Sequence, residues 1–537
     1  MKKVKYSVYW IMSFMLITVS LFGKAIHSDT AITTRSHRIS TNSGPSDYPS
    51  LSSAFDGSLW AVWQSYVMGN KQTPLLGQIG EEKDHLYFTR FSEGKWRPAR
   101  CIPDVEGDLY QPVCEVTQAG HLIVVWSQQI NADWDLWYSI YDGKEWKEPA
   151  RIAKRAGTDL APVLKRSPGG EMRLVWQGWN GNNFDIFTSS FKESAWCAPE
   201  AVTVDAGNDW MPDLAFGPDE TLYVVWDSYR NGTFDVYMRQ KAGKHWQDET
   251  LIAGSREFEA NASVACDKAG RLWIAYENRG PNWGKDRGYV VTQDYDETNT
   301  LLGFSVINVK CYHHERLLRP LIQPPEQPVT YHEWGGYHAP KLMFDGQDRL
   351  WLFAKRPAGD YWLPFNSFGR KIAFAAWENC AFTYDGRFWT GPQTFNDDPS
   401  RRDSDFDAAL LPEGDMMSLW YADHRHGKWK VIPGKREVYA QRIPQVSDSL
   451  KTMRLTPDDP NVCPYQRAAA QKEADDVSQI RHYEIPSSQS PYRIFRGDLH
   501  RHTEISWDGS SEGTIIDLFR YSYDAAALDF VAITDHN

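Results

Sequence analysis

A repeat of 50 residues is the feature that most constrains the fold of this chain. Four sets of residues recur at this interval in a single phase: Trp126, Trp176, Trp226 and Tyr276; Pro112, Pro162 and Pro212; Asp135, Asp185 and Asp235; and Trp96, Trp146, Trp196 and Trp246. Each unit reads as a proline, an apolar strand such as LIVVW, a polar turn, a second strand such as FDVY, a Gly-containing turn and a Trp. A period of this length is typical of solenoids, propellers and arrays of small units.

The segments within each unit have the character of short antiparallel strands. Runs such as MRLVW and LYVVW are rich in β-branched and aromatic residues, which suits a pleated surface buried on both faces. Asn-Gly pairs such as Asn180-Gly181 lie between strands and favour tight hairpins. Three to four short strands per unit predict a β-propeller, and the chain is therefore expected to be mainly β.

Further units can be phased less strictly outside the three regular repeats that start at Pro112, Pro162 and Pro212. They run from Pro49 through Trp63 to Trp96, from near Ala262, from Pro340 through Trp351 to Trp389, and from Phe406 through Trp420 to Tyr439. The count favours seven blades, with six as the alternative, over residues 31–443. We expect the segment Ala31–Ser40 to close the ring by pairing with the last blade.

The segment WDSYRNGTFDVYMRQKAGKHW resembles a blade of TolB-like propellers, and the DG-x-x-W turns are loosely similar to the Asp-box turns of sialidases. Neither resemblance brings a catalytic set with it, and no acid pair stands out, so catalytic residues within the propeller are unknown. The recurring aspartates are interpreted as turn and strand-end hydrogen-bonding groups. A ligand is expected instead where the repeats differ, in inserts at about 279–337 and 357–376. These inserts and their border contain several candidate residues: His313, His314, His332, Trp334 and His338.

The N-terminus has the features of a secretory signal peptide. Lys2, Lys3 and Lys5 precede an apolar stretch from Tyr6 to Gly23, and small residues then predict cleavage before Ile26. Residues 1–25 are therefore expected to direct export, with a periplasmic or secreted location. An uncleaved anchor is the alternative, because about 18 apolar residues is the lower limit for a spanning helix. No membrane span is expected beyond this segment.

Charge and cysteine content exclude some classes of protein. The net charge is -12 and no basic run occurs outside the signal, so no nucleic-acid partner is expected. The seven cysteines are widely scattered and form neither a disulfide framework nor a CxxC metal site. One bridge between Cys101 and Cys114 remains open. No cofactor-binding motif other than a metal site is found.

The repeat dissolves after residue 443. Residues 444–491 contain prolines, Ser-rich patches and a helical run from Gln466 to Arg481, which predicts a linker with a short helix. The segment 492–537 then has a different pattern. It predicts a strand over Tyr492–Leu499, a helix over Gly513–Ala527 and a strand over Phe530–Thr534, which together make one βαβ unit.

Four residues of this C-terminal segment are candidate metal ligands. His500 and His502 are at positions i and i+2 of an extended chain, so their side chains face the same way. His536 follows the second strand, and parallel strand ends meet at one rim. Asp508 adds a hard oxygen ligand nearby. Asp498 and Asp535 are the neighbours predicted to orient an imidazole.

The motifs GDLHRHTEIS-x-DG and DFVAITDHN strongly resemble the N-terminal motifs of the PHP (polymerase and histidinol phosphatase) superfamily. The resemblance covers residues 492–537 and implies a distorted (β/α)7 barrel that holds divalent metal ions, Zn, Mn or Fe. It assigns metal binding to His500, His502, Asp508 and His536, and it implies phosphoester hydrolysis. Only the first βαβ unit of the barrel is present, so a truncated reading frame that holds metal poorly and is inactive as it stands is expected.

Three functions follow from these observations. The first is an exported propeller that presents a small-molecule or polymeric substrate to a PHP-type metal-dependent hydrolase. The second is a non-catalytic binding or scaffold protein of the cell envelope, in which the propeller recognises a glycan or a peptide. The third is a propeller that is itself a glycosidase or lyase.

Overall fold

The computed structural model describes residues 30–31, 35–67, 83–281, 283–284, 301, 303–326, 336–357, 362–363, 372–373, 377–395, 400, 406–424, 435–458, 460, 464–503, 505–506 and 513–535. The predicted signal peptide, 1–25, and parts of both predicted inserts lie outside these residues.

The repeat units fold into antiparallel sheets, as their short apolar runs and turns predicted. The central strand of each regular unit is buried over most of its length, because neighbouring sheets cover both of its faces. Trp126, Trp176 and Trp226 on these strands have no exposed surface. Burial of such large rings contributes much of the stability of a sheet stack, at roughly 25 cal/mol per Å² of apolar surface.

The strands before the regular repeats and in the first two units are β1 (Thr30–Ala31), β2 (His37–Arg38), β3 (Ser46–Ser53), β4 (Leu59–Val67), β5 (Lys83–Ser92), β6 (Lys95–Trp96), β7 (Arg100–Val116), β8 (Leu122–Ile130), β9 (Asp133–Tyr141) and β10 (Ala150–Arg151). The next two units contain β11 (Asp159–Arg166), β12 (Met172–Trp179), β13 (Phe184–Lys192), β14 (Ala195–Trp196), β15 (Glu200–Ala201), β16 (Asp209–Phe216), β17 (Leu222–Tyr229), β18 (Phe234–Ala242), β19 (His245–Trp246) and β20 (Thr250–Ala253).

The later units contain β21 (Glu259–Cys266), β22 (Leu272–Asn278), β23 (Val306–His313), β24 (Arg316–Pro320), β25 (His338–Phe344), β26 (Leu350–Pro357), β27 (Trp362–Leu363), β28 (Ile372–Ala373), β29 (Trp377–Tyr384), β30 (Trp389–Thr394), β31 (Phe406–Leu410), β32 (Met416–Ala422), β33 (Glu437–Ile443) and β34 (Leu455–Pro457). The C-terminal elements are α1 (Pro464–His482), β35 (Glu484–Ile485), β36 (Tyr492–Arg493), β37 (Gly497–Arg501), α2 (Ile515–Arg520), a π-helical turn (Tyr521–Ala525) and β38 (Phe530–Ile533).

The propeller strands form six large sheets in the described part of the chain. Five are separate blades of four or five strands: β11–β15; β16–β20; β21–β24 with β34; β25, β26, β29 and β30 with β1; and β31–β33 with β2. The sixth is an eight-stranded sheet, because the 17-residue strand β7 pairs with β5 at its start and with β8 along its end. The expected seven separate blades are therefore wrong as a count of sheets, since one continuous strand joins the first two units.

The ring is closed by contacts between the two ends of the repeat region. Strand β2 pairs antiparallel with β33 of the last blade, with His37 opposite Ala440, which confirms the closure predicted for the N-terminal segment. The backbone N–H of Leu51 in the first unit donates to Asp407 of the last unit at 2.7 Å. These bonds join segments that are far apart in sequence, and they leave the propeller without an open edge at this point.

The C-terminal segment forms the predicted parallel pair. β37 and β38 pair in parallel, with Gly497 opposite Phe530, and the helical segment that connects them starts at the N-cap Thr514. The predicted first strand is shorter than expected, because its first residues form β36 and pair with β35 instead. Two parallel strands and one helix make no barrel in the described residues.

Candidate functional site

Two of the predicted metal ligands lie side by side at the end of β37. The Nε2 atoms of His500 and His502 are 3.1 Å apart, and the ring centroids are 4.9 Å apart. Both side chains extend from the same side of the strand, as their i and i+2 spacing predicted. Nitrogen ligands lie about 2.0–2.1 Å from a bound zinc ion, so two atoms this close can reach one cation.

The two neighbouring aspartates hold the ends of the strands. Asp535 accepts hydrogen bonds from the backbone N–H of Thr503 at 2.5 Å and from its hydroxyl at 2.8 Å. Asp498 accepts from the backbone N–H of His500 at 3.0 Å and pairs with Arg501 at 2.9 Å. These bonds stabilise the backbone that carries the histidines, while the predicted role of orienting an imidazole stays a prediction.

The other two predicted ligands, Asp508 and His536, lie outside the described residues. Within the described residues, no group of three or more His, Cys, Asp or Glu side chains is arranged to hold a metal ion. The four-residue metal site therefore remains a prediction, of which the structure describes the histidine pair.

Helix α2 binds the propeller through a buried arginine. Arg520 has no exposed surface, and its guanidinium pairs with Asp227 of β17 at 2.5 Å and with Asp517 of its own helix at 2.6 Å. The carboxylates neutralise a charge that is costly to bury alone. The same guanidinium lies over the rings of Phe234 and Trp283, at 5.2 and 5.4 Å from their centroids.

A second buried arginine continues this network into the next blade. Arg279 pairs with Glu277 of β22 at 2.7 Å and with Asp517 of α2 at 3.0 Å. All three side chains are at most 2% exposed. Together with the pair of Arg520 and Asp227, they form a charged interface between the propeller and the C-terminal segment.

Sequence reasoning missed this interface, although a signal was present. Gln177, Asp227 and Glu277 each follow the aromatic residue of the repeat and therefore share its spacing of 50. Each side chain accepts a hydrogen bond from a backbone N–H of the next blade. The donors are the N–H groups of Met211, Asn261 and Ala339, at 3.1, 3.1 and 2.9 Å, respectively. Each of these three residues lies at a β-bulge and has a positive φ. The acidic members of this set can bind an arginine as well.

The insert histidines have different surroundings from one another. His338 is fully buried, and its Nδ1 lies 3.0 Å from Glu277, with its ring edge-on to Trp377. The rings of His313 and His314 lie near the turn between β23 and β24, with centroids 3.8 Å apart and planes tilted by 44°. The remaining two candidates, His332 and Trp334, lie outside the described residues.

Two of the recurring aspartates, Asp185 and Asp235, bond to groups of their own hairpin turns, as predicted, whereas Asp135 pairs with Arg151 of β10. Asp185 accepts hydrogen bonds from Asn180 at 2.5 Å and Asn183 at 3.2 Å. Asp235 accepts from Asn231 at 2.7 Å and from the hydroxyl of Thr233 at 3.0 Å. These contacts satisfy the polar groups of the turns.

The one disulfide left open by the sequence does not form. None of the six cysteines in the described residues is joined in a disulfide; Cys101 is exposed and Cys114 is buried. No helix in the described part of the chain is both long and apolar enough to cross a bilayer.

Docking of α2 is expected to weaken as the pH rises. Burial raises the pKa of Asp524 to about 7 in the docked state, although Asn208 and Trp210 donate hydrogen bonds to it. Burial likewise raises the pKa values of Asp209 and Asp227 to about 6. Because their carboxyl pKa values are raised, these groups bind more protons in the docked form than in the undocked form. The docked form therefore loses stability relative to the undocked form as the pH rises from the normal carboxyl pKa of about 4 to the docked value.

The measurement is hydrogen exchange of α2 and β38 at pH 5 and pH 7.5, corrected for the intrinsic exchange rates. We expect protection to be about tenfold or more lower at pH 7.5. Asp524→Asn, which cannot ionise, reduces this pH dependence. Equal pH dependence in Asp524→Asn would show that another group is responsible.

No family model and no curated protein matches the chain. Among solved structures, a protein of unknown function from Dyadobacter fermentans DSM 18053 has a TM-score of 0.42 at 10% identity, covering 78% of this chain and 98% of that chain. A PL25 ulvan lyase bound to -[GlcA(1-4)Rha3S]- has a TM-score of 0.43 at 10% identity, covering 80% of this chain and 96% of that chain. The GH93 α-L-arabinofuranosidase of Fusarium graminearum with arabinobiose has a TM-score of 0.35 at 12% identity, covering 61% of this chain and 91% of that chain.

These likenesses are distant, so the propeller assignment depends on the sheets of the chain itself. Since no family model matches, the resemblance of residues 492–537 to the PHP superfamily stays a prediction.

Proposed function

We propose that the protein is an exported propeller whose C-terminal segment belongs to a PHP-type metal-dependent phosphoesterase. The observation that carries this proposal is the histidine pair, with Nε2 atoms 3.1 Å apart at the end of a parallel strand. Two imidazoles this close together at one strand end can bind the same cation. The motifs around them resemble the PHP superfamily in both order and spacing.

The donor set fits a divalent metal. Imidazole nitrogens suit Zn, Mn or Fe together with carboxylate ligands. We propose that Asp508 and His536 complete the set with His500 and His502. Clustered divalent ions supply an activated water and neutralise phosphoryl charge when they are bound.

The residues around the pair have supporting roles of their own. Asp535 fixes the backbone of Thr503, directly after the histidines, so the two imidazoles are presented from an ordered strand end. Arg520 anchors the segment to the propeller. We propose that the propeller presents a small-molecule or polymeric substrate to this edge.

The test is a calorimetric titration of the chain with Zn²⁺ or Mn²⁺, which measures the affinity for the metal. His500→Ala and His502→Ala are each expected to weaken metal binding by about tenfold or more, since the loss even of a residue that only hydrogen-bonds to a metal ligand lowers metal affinity by this factor. His314→Ala, an exposed histidine of the propeller, is the matched control and should bind as the unchanged chain does. Equal affinity in all variants would remove the histidine pair from metal binding.

Activity is tested separately, with a generic phosphodiester and the same metals. Metal-dependent turnover that is lost in His500→Ala supports the hydrolase. Metal binding without turnover in a longer form that carries further motifs favours the second function, since no turnover is expected of the first βαβ unit alone.

The second function is a non-catalytic protein of the cell envelope that binds a glycan or a peptide. Its support is the propeller itself, in which a ligand is expected at the inserts, where the repeats differ. Export to the periplasm or the medium is part of both proposals. Export is tested by the N-terminal sequence of the mature protein, which should start at Ile26 when the first 25 residues are removed.

A further inference from the structure

Three successive repeats place an acidic residue at the same position. Asp159, Asp209 and Glu259 are 50 residues apart and begin strands β11, β16 and β21. All three are at most 2% exposed. A buried carboxylate needs a cation or several hydrogen-bond donors, because burial alone disfavours its charge.

Two of these acids have an arginine partner that stacks on an aromatic ring. Arg155 pairs with Asp159 at 2.6 Å, and its guanidinium lies 3.6 Å from the ring centroid of Phe187. Arg230 pairs with Asp209 at 2.9 Å, 4.5 Å from the ring centroid of Tyr237. The two repeats thus bury the same trio of carboxylate, guanidinium and ring, although the arginines come from different loops.

The third repeat has the acid but neither arginine. The position of Arg155 is occupied by Ser255, and the position of Arg230 by Gly280. The ring is missing as well, because Asn308 pairs with Tyr276 where Tyr237 pairs with Trp226.

The contacts of Glu259 are correspondingly weak in the described residues. Its oxygens accept from the backbone N–H of Ser255 at 3.2 and 3.4 Å. The nearby cation Lys310 is engaged elsewhere, by Asp458 at 2.7 Å and by the carbonyl of Ile252 at 2.7 Å. Lys310 is the counterpart of Arg239, whose guanidinium likewise donates to the equivalent carbonyl, so it does not replace either missing arginine.

A cavity of about 390 Å³ lies at this place in the third repeat. Its lining includes Ser255, Glu257, Glu259, Tyr276 and Asn308, and it opens to solvent. Lys310 and Arg319 also line it, and both are paired with Asp458, a third carboxylate of the lining, which leaves Glu257 and Glu259 as the carboxylates available to a ligand. This volume lies near the lower end for sites that bind small molecules. The cavity therefore lies where the repeat that contains Asp159 has its arginine and its ring, since Ser255 and Asn308 occupy those two positions here.

We propose that this cavity binds a small organic cation, a guanidinium or primary ammonium group, with Glu259 as its counter-ion. The ligand group takes the place that Arg155 and Arg230 occupy in the preceding repeats. A guanidinium suits the site because it forms two parallel hydrogen bonds with one carboxylate. The tyrosine and amide groups of the lining contact the remainder of the ligand.

Proton release is expected to accompany binding. Burial raises the pKa of Glu259 to about 8 without a ligand, so the carboxyl is mostly protonated at pH 7. A cation binds the ionised form, and affinity therefore rises as the pH increases from 6 to 8.

The experiment is calorimetry of the whole chain with butylguanidinium chloride at constant ionic strength. We expect saturable binding with a Kd of about 1 mM or lower. At pH 7, the observed heat should differ between Mops and phosphate buffer, neither of which supplies a guanidinium or primary ammonium group, because a proton is released. Glucose serves as the neutral probe and is expected not to bind this site.

Two variants and a control test the assignment. Glu259→Gln keeps the shape of the side chain and should weaken binding about tenfold or more. Ser255→Arg supplies the arginine of the repeat that contains Asp159, and it should abolish binding and raise the melting temperature. Glu148→Gln, at an exposed position, should bind as the unchanged chain does.

Three outcomes would overturn the proposal. The first is no saturable binding of butylguanidinium up to about 50 mM, well above the Kd expected of such a site. The second is equal binding in Glu259→Gln or Ser255→Arg. The third is binding of glucose that Glu259→Gln weakens, which would assign the cavity to a neutral polyol instead. None of them depends on the histidine pair, so this site and the proposed metal site fail or stand separately.

Discussion

Replacing Arg520 by methionine is expected to release the C-terminal segment from the propeller, at a cost of about 3–5 kcal/mol. The change removes the cation but leaves Asp227 and Asp517 buried, with Arg279 as the remaining positive charge. An uncompensated buried carboxylate is more costly than the intact pair. Part of the cost is recovered if Asp227, whose pKa burial raises to about 6, takes up a proton.

The measurement is hydrogen exchange of β37 and β38, whose opening free energy should fall while that of the propeller core stays unchanged. Arg493→Met is the matched control, because its ion pair with Glu484 has 58% and 41% exposed side chains and should be worth at most about 1 kcal/mol. Adding Asp227→Asn to Arg520→Met should restore part of the loss, since the amide oxygen still accepts from Asn261. Equal exchange in Arg520→Met and Arg493→Met would show that the buried pair does not hold the segment.

Trp226→Ala is expected to destabilise the propeller by about 3–5 kcal/mol, the range found for large aromatic residues in cores. The ring is fully buried and packs in a cluster with Val175, Val224 and Tyr237 of this and the preceding blade. Its removal leaves a cavity between two sheets that cannot close, because each sheet is held by its own ladder of hydrogen bonds.

Urea denaturation followed by Trp fluorescence and circular dichroism measures this loss. Val204→Ala, at a site with 79% exposure, should change stability by no more than about 0.5 kcal/mol. Trp226→Tyr is expected to cost less than Trp226→Ala, since the repeat itself uses Tyr276 at this position. A loss below about 1 kcal/mol in Trp226→Ala would mean that the ladder of aromatic residues does not form the core of the stack.

The repeat made the propeller predictable, because it records local structure. Strand, turn and strand follow one another within 50 residues, so hydrophobic pattern and Asn-Gly turns define each unit before any long-range contact. Closure by the N-terminal segment was predictable for a related reason, since a last blade with an unpaired edge needs a partner. The number of separate sheets was not, because β7 continues through two units without a break.

At the C-terminus, the spacing of His500 and His502 predicted correctly that their side chains meet. Alternation along a single strand is a local property. The role of Asp535 was less accessible, because its contact with Thr503 crosses between two strands.

By itself, the sequence determined the propeller architecture, the parallel C-terminal pair and the position of the two histidines, all of which follow from patterns repeated over a few residues. Only the tertiary structure decided that Arg520 enters the propeller beside Asp227, 293 positions earlier in the chain. It also decided that Glu259 borders a cavity, whereas Asp159 and Asp209, at the equivalent position of the two preceding repeats, each have an arginine partner. The physical reason is the same in both cases: the spacing of the repeat marks the acidic residue, but a buried charge selects its partner by position in space, which that spacing does not encode.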